Sequence, residues 1–264
     1  MIGRLDCHGL QLSVDFARGR SIAMPLDPHG AQPAFFTSRP ANARPLQVGD
    51  FIGDMQRGGS CNAETVEFTP HCHGTHTECL GHVTLERQAV QDTIFSAPVL
   101  ARLVSLRPGP GPNRDDPPRF SRAALEAALG DLQVPPVEAL VVRTLPNDPA
   151  QMFRSYMEAP DYPVFGPQAM EWLSAQALKH LLVDMPSLDI PRDAGKLVNY
   201  RAWWGLDGRP APPGLDPGRR SVTEMIFAPG ELADGLYWLH LGLAPLVGEA
   251  TPSRPILYPV VVEP

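Results

Sequence analysis

A strand-rich α/β fold in one domain is what this chain of 264 residues predicts, and three observations carry the prediction. Its 31 prolines and 23 glycines break it into short segments. Its middle alternates short apolar runs with two helical patterns, the signature of strands joined by crossover helices. Its C-terminal stretch, from Gly235-Leu-Tyr-Trp-Leu to Tyr258-Pro-Val-Val-Val262, has the look of paired strands.

Taken in order, Val99–Leu106, Ala139–Thr144 and Leu181–Asp184 are short, apolar and bounded by turn residues, as buried strands are. Ser121 is placed to cap a helix over Arg122–Leu129, with Gly130 as its stop. Pro167 at a first helical position opens a second helix over Gln168–Leu178. Each helix falls between two strands, so a βαβαβ stretch is expected over roughly residues 99–184. The Pro/Arg/Asp-rich stretch 108–120 is an exposed loop. Asn147 to Tyr162, with Phe153, Tyr156 and Met157, is a long irregular connection: a lid, an oligomer arm or a plain surface excursion. With no repeat and no separate core on either side of these loops, one domain over 1–264 is expected.

The composition, 43% hydrophobic and 19% charged, is that of a globular chain able to bury a sizeable core. A net charge of -7 without any basic stripe argues against nucleic acid and anionic membrane as partners. No apolar run approaches the ~20 residues that span a bilayer. The first residues lack the apolar core of a signal peptide, so a cytoplasmic location is the default expectation. Four cysteines do not make a disulfide scaffold. Cys7 reads as a small buried hydrophobe, and no C-x-x-C spacing suggests a structural zinc finger.

Chemistry concentrates between residues 71 and 82, where His71, His73, His76 and His82 stand among Cys72, Cys79 and Glu78. If the run is extended, period-two alternation puts Cys72, His76, Glu78 and His82 on one face. Cys72 to Glu78 would then span roughly 20 Å, too far for one ion unless the chain bends, and Gly74 and Gly81 offer the bends. Thiolate, imidazole and carboxylate together suit Zn2+, with Mn2+ less favoured once sulfur is present. Three protein ligands with an open position is the pattern of a catalytic metal, and His82 is placed to act as general acid or base. His71 and His73 have the opposite parity. Their roles stay open among a second shell, hydrogen bonding and exposure, and Cys79 is expected to be buried.

This arrangement resembles the cyclase family of metal-dependent hydrolases, which includes bacterial kynurenine formamidase and isatin hydrolase. The family motif is H-x-G-T-H-x-D-x-P-x-H. Gly74-Thr75-His76 and His82 match it in register, Glu78 stands for the Asp, Cys72 for the first His and Leu80 for the Pro. Carried over residue by residue, the resemblance implies Cys72, His76 and Glu78 as metal ligands and His82 as the catalytic base. It extends to Ala139–Thr144, a strand ending in Arg-Thr, to Val183-Asp-Met-Pro-Ser-Leu-Asp189, and to Thr223-Glu224, where Glu224 matches a ligand for a second metal. Where two-metal members carry a His, this chain offers Tyr200, or Asn199 if the register slips by one.

The resemblance implies a swivelling β/β/α fold, assembly as a homodimer or homotetramer, and hydrolysis of a small amide, formamide or cyclic amide or ester. From their aromatic character alone, Trp203, Trp204 and Phe153 are read either as packed in the core or as walls of an apolar pocket for a small-molecule substrate. Two other readings stand beside it. One is a metal-free member that binds a small ligand or serves as a scaffold. The other is a thiol function for Cys72, its pKa lowered by the flanking histidines.

Overall fold

A computed structural model describes residues 1–36, 39–93, 98–130, 136–156 and 162–263. Nine strands organise it: β1 (Ile2–Cys7), β2 (Leu10–Asp15), β3 (His76–Glu78), β4 (Val99–Leu106), β5 (Ala139–Thr144), β6 (His180–Val183), β7 (Ser221–Glu224), β8 (Gly235–Leu243) and β9 (Ala250–Val262). β4, β5, β6 and β7 run parallel in that spatial order. β7 then pairs antiparallel with β3, β3 with β9, β9 with β8, and β8 with β4. The circuit closes, so seven strands form a barrel. The hairpin β1–β2 leans on the far end of β9.

Alternation along the strands builds two cores. Val99, Ala101 and Leu103, Ala139 and Val141, Leu182, Leu239 and Leu257 fill one face. Leu100, Val104, Leu140, Val142, Leu181, Val183 and Val222 point the other way. There they meet the helices α2 (Arg122–Leu129) and α3 (Pro167–Ser174), through Leu125, Leu129, Met170 and Leu173. All four of these side chains are buried, each worth about 1.5–3 kcal/mol relative to exposure.

The helices begin where turn chemistry starts them. Ser121 Oγ accepts from Ala124 N at 3.1 Å. Gly130, at φ 56° and ψ -136°, takes a backbone conformation that glycine alone adopts readily, and ends α2. α3 ends at Ser174, four residues before the expected Leu178. Arg220, buried at the start of β7, donates to the carbonyls of Ser174, Gln176, Leu178 and Trp203. A tertiary donor thus takes the Ser174 carbonyl, which a longer helix would have bonded to Leu178 N, together with carbonyls of the turn that follows. The expected strand 181–184 lies one residue earlier, at His180–Val183. In the connection from 147 to 162, Pro149–Phe153 is a 3-10 turn and Tyr156 is buried, while Met157 lies outside the described residues. Among the described residues no helix is long and apolar enough to cross a membrane.

Candidate metal centre

The run from 70 to 83 is not one extended strand. Pro70–His73 is a single helical turn (α1), only His76–Glu78 is a strand, and Leu80–Val83 is a 3-10 turn. Within β3, alternation sends His76 and Glu78 to one face and Thr77 to the other, where Thr77 Oγ1 meets Thr223 Oγ1 at 2.7 Å. The register then pairs Glu224 of β7 with His76. Cross-strand partners share a face, so His76, Glu78 and Glu224 converge. One donor atom from each lies within 4.8 Å of the others.

Thr75 holds this junction in place. Its Oγ1 accepts from Met24 N and donates to the carbonyl of Met225, the residue after Glu224, and its own carbonyl accepts from Ser253 N. Met225 itself sits at φ 54°, a left-handed conformation for a side-chain-bearing residue, where the β7 strand ends.

His76 is fully buried, and its Nδ1 donates to the Gly74 carbonyl at 3.0 Å. That bond leaves Nε2 with a lone pair, 3.4 Å from Glu224 Oε2 and without hydrogen-bond alignment. Among the described residues neither Nε2 nor either oxygen of the fully buried Glu78 has a hydrogen-bond partner. A lone pair facing two buried carboxylates calls for a cation between them. The donor set therefore fits a metal ion. Glu224 Oε1 is already engaged, accepting from Tyr200 Oη at 2.5 Å and from Leu188 N at 3.0 Å. Tyr200 lies in α4 (Val198–Trp203), whose first amides, Asn199 N and Tyr200 N, donate to the Asp189 carboxylate. The Pro-Ser-Leu-Asp turn and α4 thus position Glu224 from behind.

A second group shares Glu78. His71, His82 and Glu249 each place a donor atom within 4.8 Å of one another and of Glu78. His71 Nε2 donates to Glu249 at 3.0 and 3.1 Å, while its Nδ1 is 3.1 Å from Glu78 Oε2. His82 Nδ1 is 3.6 Å from an oxygen of each carboxylate. Burial opposes charge on His71, but the Glu249 and Glu78 carboxylates outweigh it and push the imidazole up to about 11. His82 is raised in the same way, burial being overcome chiefly by Glu78. The imidazoles hold Glu78 and Glu249 below the usual carboxylate range against the burial of each. Burial and the charge of Glu78 push Glu224 up.

Cys72 enters neither group of donors. The parity that placed it beside His76 assumed an extended chain. In a helical turn the residue one position earlier, His71, faces the carboxylates instead. The thiol lines the adjoining cleft, and burial pushes its pKa up more than the His71 charge lowers it, contrary to an activated thiolate. With sulfur outside the group, the donors are one imidazole and two carboxylates, and the reason for ranking Zn2+ over Mn2+ goes with it. His73 is structural: it accepts from Thr69 N and its Nε2 donates to the Arg39 carbonyl at 2.7 Å. Cys79 is fully buried.

His71, His82 and Glu224 line a cleft of about 460 Å³, walled by Phe35, Phe36, Ile190 and Leu197. Of the two roles open to the other aromatics, the tryptophans take the core. Trp203 and Trp204 are packed in the core, and Phe153 is half exposed away from the cleft. The sequence reading had no signal for Glu249 or for the two phenylalanines, which are distant in the chain from the histidine run. For Tyr200 it had only a position in register.

The chain belongs to the cyclase family, whose model ("Putative cyclase") matches residues 11–190. No curated protein sequence matches it. Several solved structures share its fold. A novel cyclase is 16% identical with a TM-score of 0.60, covering 92% of this chain and 89% of that one. Isatin hydrolase A from Labrenzia aggregata, bound to benzyl benzoate, is 16% identical with a TM-score of 0.58, covering 93% and 94%. A potential metal-dependent hydrolase with cyclase activity is 12% identical with a TM-score of 0.58, covering 92% and 98%.

Proposed function

We propose that the protein is a metal-dependent hydrolase of a small amide, formamide, cyclic amide or ester. The observation that carries this reading is the buried lone pair of His76 facing Glu78 and Glu224 with no hydrogen-bond partner. His76, Glu78 and Glu224 would hold a divalent ion, leaving part of its coordination open to the cleft. Such an ion, when bound, supplies Lewis acidity to a carbonyl and lowers the pKa of water.

The remaining work falls to this chain's own groups. The Gly74 carbonyl fixes the His76 tautomer, and Tyr200 with Leu188 N fixes the rotamer of Glu224. His82 lines the cleft with Nδ1 toward Glu78 and Glu249, which leaves Nε2 as the nitrogen that exchanges protons. It accepts a proton from attacking water and returns it to the leaving nitrogen or oxygen as the carbonyl carbon's bond to that atom breaks. Phe35 and Phe36 offer aromatic faces to a flat substrate. The neighbouring fold of isatin hydrolase A supports isatin as a first substrate to try.

The test is metal analysis of protein purified without a His-tag, with hydrolysis of isatin and N-formylkynurenine by wild type and His82→Ala. One ion per chain and activity lost in His82→Ala are expected. Activity that survives in His82→Ala removes the proposed acid–base role. A second reading, a metal-free ligand-binding member, has one observation in its favour. His71, held positive between Glu78 and Glu249, already neutralises part of the carboxylate charge. Absence of a stoichiometric ion would favour it.

A further inference from the structure

We propose that Glu249 is a positioning residue that sets the orientation of His82 and His71 at the metal centre. It lies beyond the family-matched segment, 167 residues after His82, and nothing in the motif points to it.

The fold places this side chain deliberately beside the histidines. Glu249 immediately precedes β9, whose first residue, Ala250, pairs with Glu78. Its carbonyl accepts from Cys79 N at 3.0 Å, and the Gly248 carbonyl accepts from Val90 N at 2.9 Å. The backbone carrying Glu249 is thus locked to both ends of the segment that holds Glu78 and His82. Gly81 completes the fit. A Cβ there would stand 3.0 Å from Glu249 Cβ and 2.7 Å from the Gln88 carbonyl, so only glycine allows the two chains this close.

From that position one carboxylate reaches two imidazoles. Both oxygens accept from His71 Nε2, and Oε2 stands 3.6 Å from His82 Nδ1. The two rings lie 4.5 Å apart at 32°, and the Tyr200 ring meets His82 at 5.2 Å and 62°. His82 is therefore held by contact with two rings and by carboxylate at Nδ1. A carboxylate facing one nitrogen of an imidazole selects the tautomer and orients the other nitrogen. His71 acts as a spacer. Held between Glu78 and Glu249, it keeps the two carboxylates apart and supplies the surface on which His82 rests.

For its kinetic readout the proposal rests on the hydrolase reading; its structural readout does not. Glu249→Gln and Glu249→Asp are compared with wild type in metal content, in kcat and KM for a substrate the wild type turns over, and in imidazole nitrogen NMR. Glu249→Gln is expected to keep the wild-type ion content and a KM within about twofold. Its kcat should fall about 10- to 100-fold, the range for losing a carboxylate that orients a metal-site imidazole. Glu249→Asp, which keeps the charge one methylene short, should fall between and serves if Gln impairs folding. The His71 and His82 nitrogen signals should change while those of His76 stay. Loss of the ion in Glu249→Gln would make Glu249 a ligand and overturn the proposal, as would unchanged kcat and unchanged His82 signals. If the wild type hydrolyses nothing, the hydrolase reading fails, and the His82 signals alone decide the role of Glu249.

Discussion

Replacing Tyr200 by Phe removes one oxygen from the centre and leaves its frame standing. The ring is fully packed, stacked on Trp204 at 5.7 Å and 11° and meeting His82 edge-on, and Phe keeps all of that area. What goes is the hydroxyl, 2.5 Å from Glu224 Oε1 and 3.0 Å from Ser187 Oγ. A hydrogen bond to a charged group contributes about 1.5–3 kcal/mol. At ~1.4 kcal/mol per tenfold, that corresponds to about 10- to 100-fold in the affinity of an ion that needs Glu224 ionised and correctly turned. Leu188 N still donates to the same oxygen at 3.0 Å, so the lower half of that range is expected. The sign follows from Glu224 itself. Burial and Glu78 already push its pKa up, and the tyrosine hydroxyl opposes that shift, so its loss favours the protonated form that cannot bind a cation. Chelator-competition titrations with manganese and zinc on wild type and Tyr200→Phe, with melting of the metal-free proteins as the folding control, read the effect directly. Equal affinity in two equally stable proteins would refute the reasoning and remove Glu224 from the ligand set.

Two other outcomes follow from the same geometry. Cys72→Ser should leave the bound ion in place, because the thiol lies outside both donor groups; metal analysis showing its loss would return Cys72 to the ligands. His180 is buried beside β7, its Nδ1 2.7 Å from Ser221 Oγ, and burial depresses its pKa to about 4. Because the folded pKa lies below an unfolded value near 6.5, the neutral imidazole contributes stability above pH ~6.5 that is lost as pH falls toward 4. At ~1.4 kcal/mol per unit over ~2.5 units, that loss approaches about 3.5 kcal/mol. Urea unfolding of wild type and His180→Gln at pH 7 and pH 4 checks it. If both lose the same stability over that interval, His180 is not the group responsible.

Much of the scaffold was legible because it depends on local rules. The period of Val99–Leu106 and Ala139–Thr144, the Ser121 cap and the Gly130 stop all act within a few residues, and each element stands where those rules put it. The over-long reading of α3 shows the limit. Gln168–Leu178 carries a helical pattern to its end, yet Arg220, some forty residues on, binds the Ser174 carbonyl that would have continued the helix and the carbonyls of the turn after it.

At the site, the sequence alone set His76 and Glu78 on one face of any extended stretch that holds them, because alternation is a local property. Motif register also brought Glu224 into view. Tertiary structure decided the rest. One helical turn at Pro70–His73 exchanged Cys72 for His71, since the angle between successive side chains depends on whether the backbone is coiled or extended. Closure of the barrel brought Glu249 against Gly81 and Tyr200 against Glu224. Contacts between residues so far apart in the chain arise from strand order and register, which no local pattern encodes.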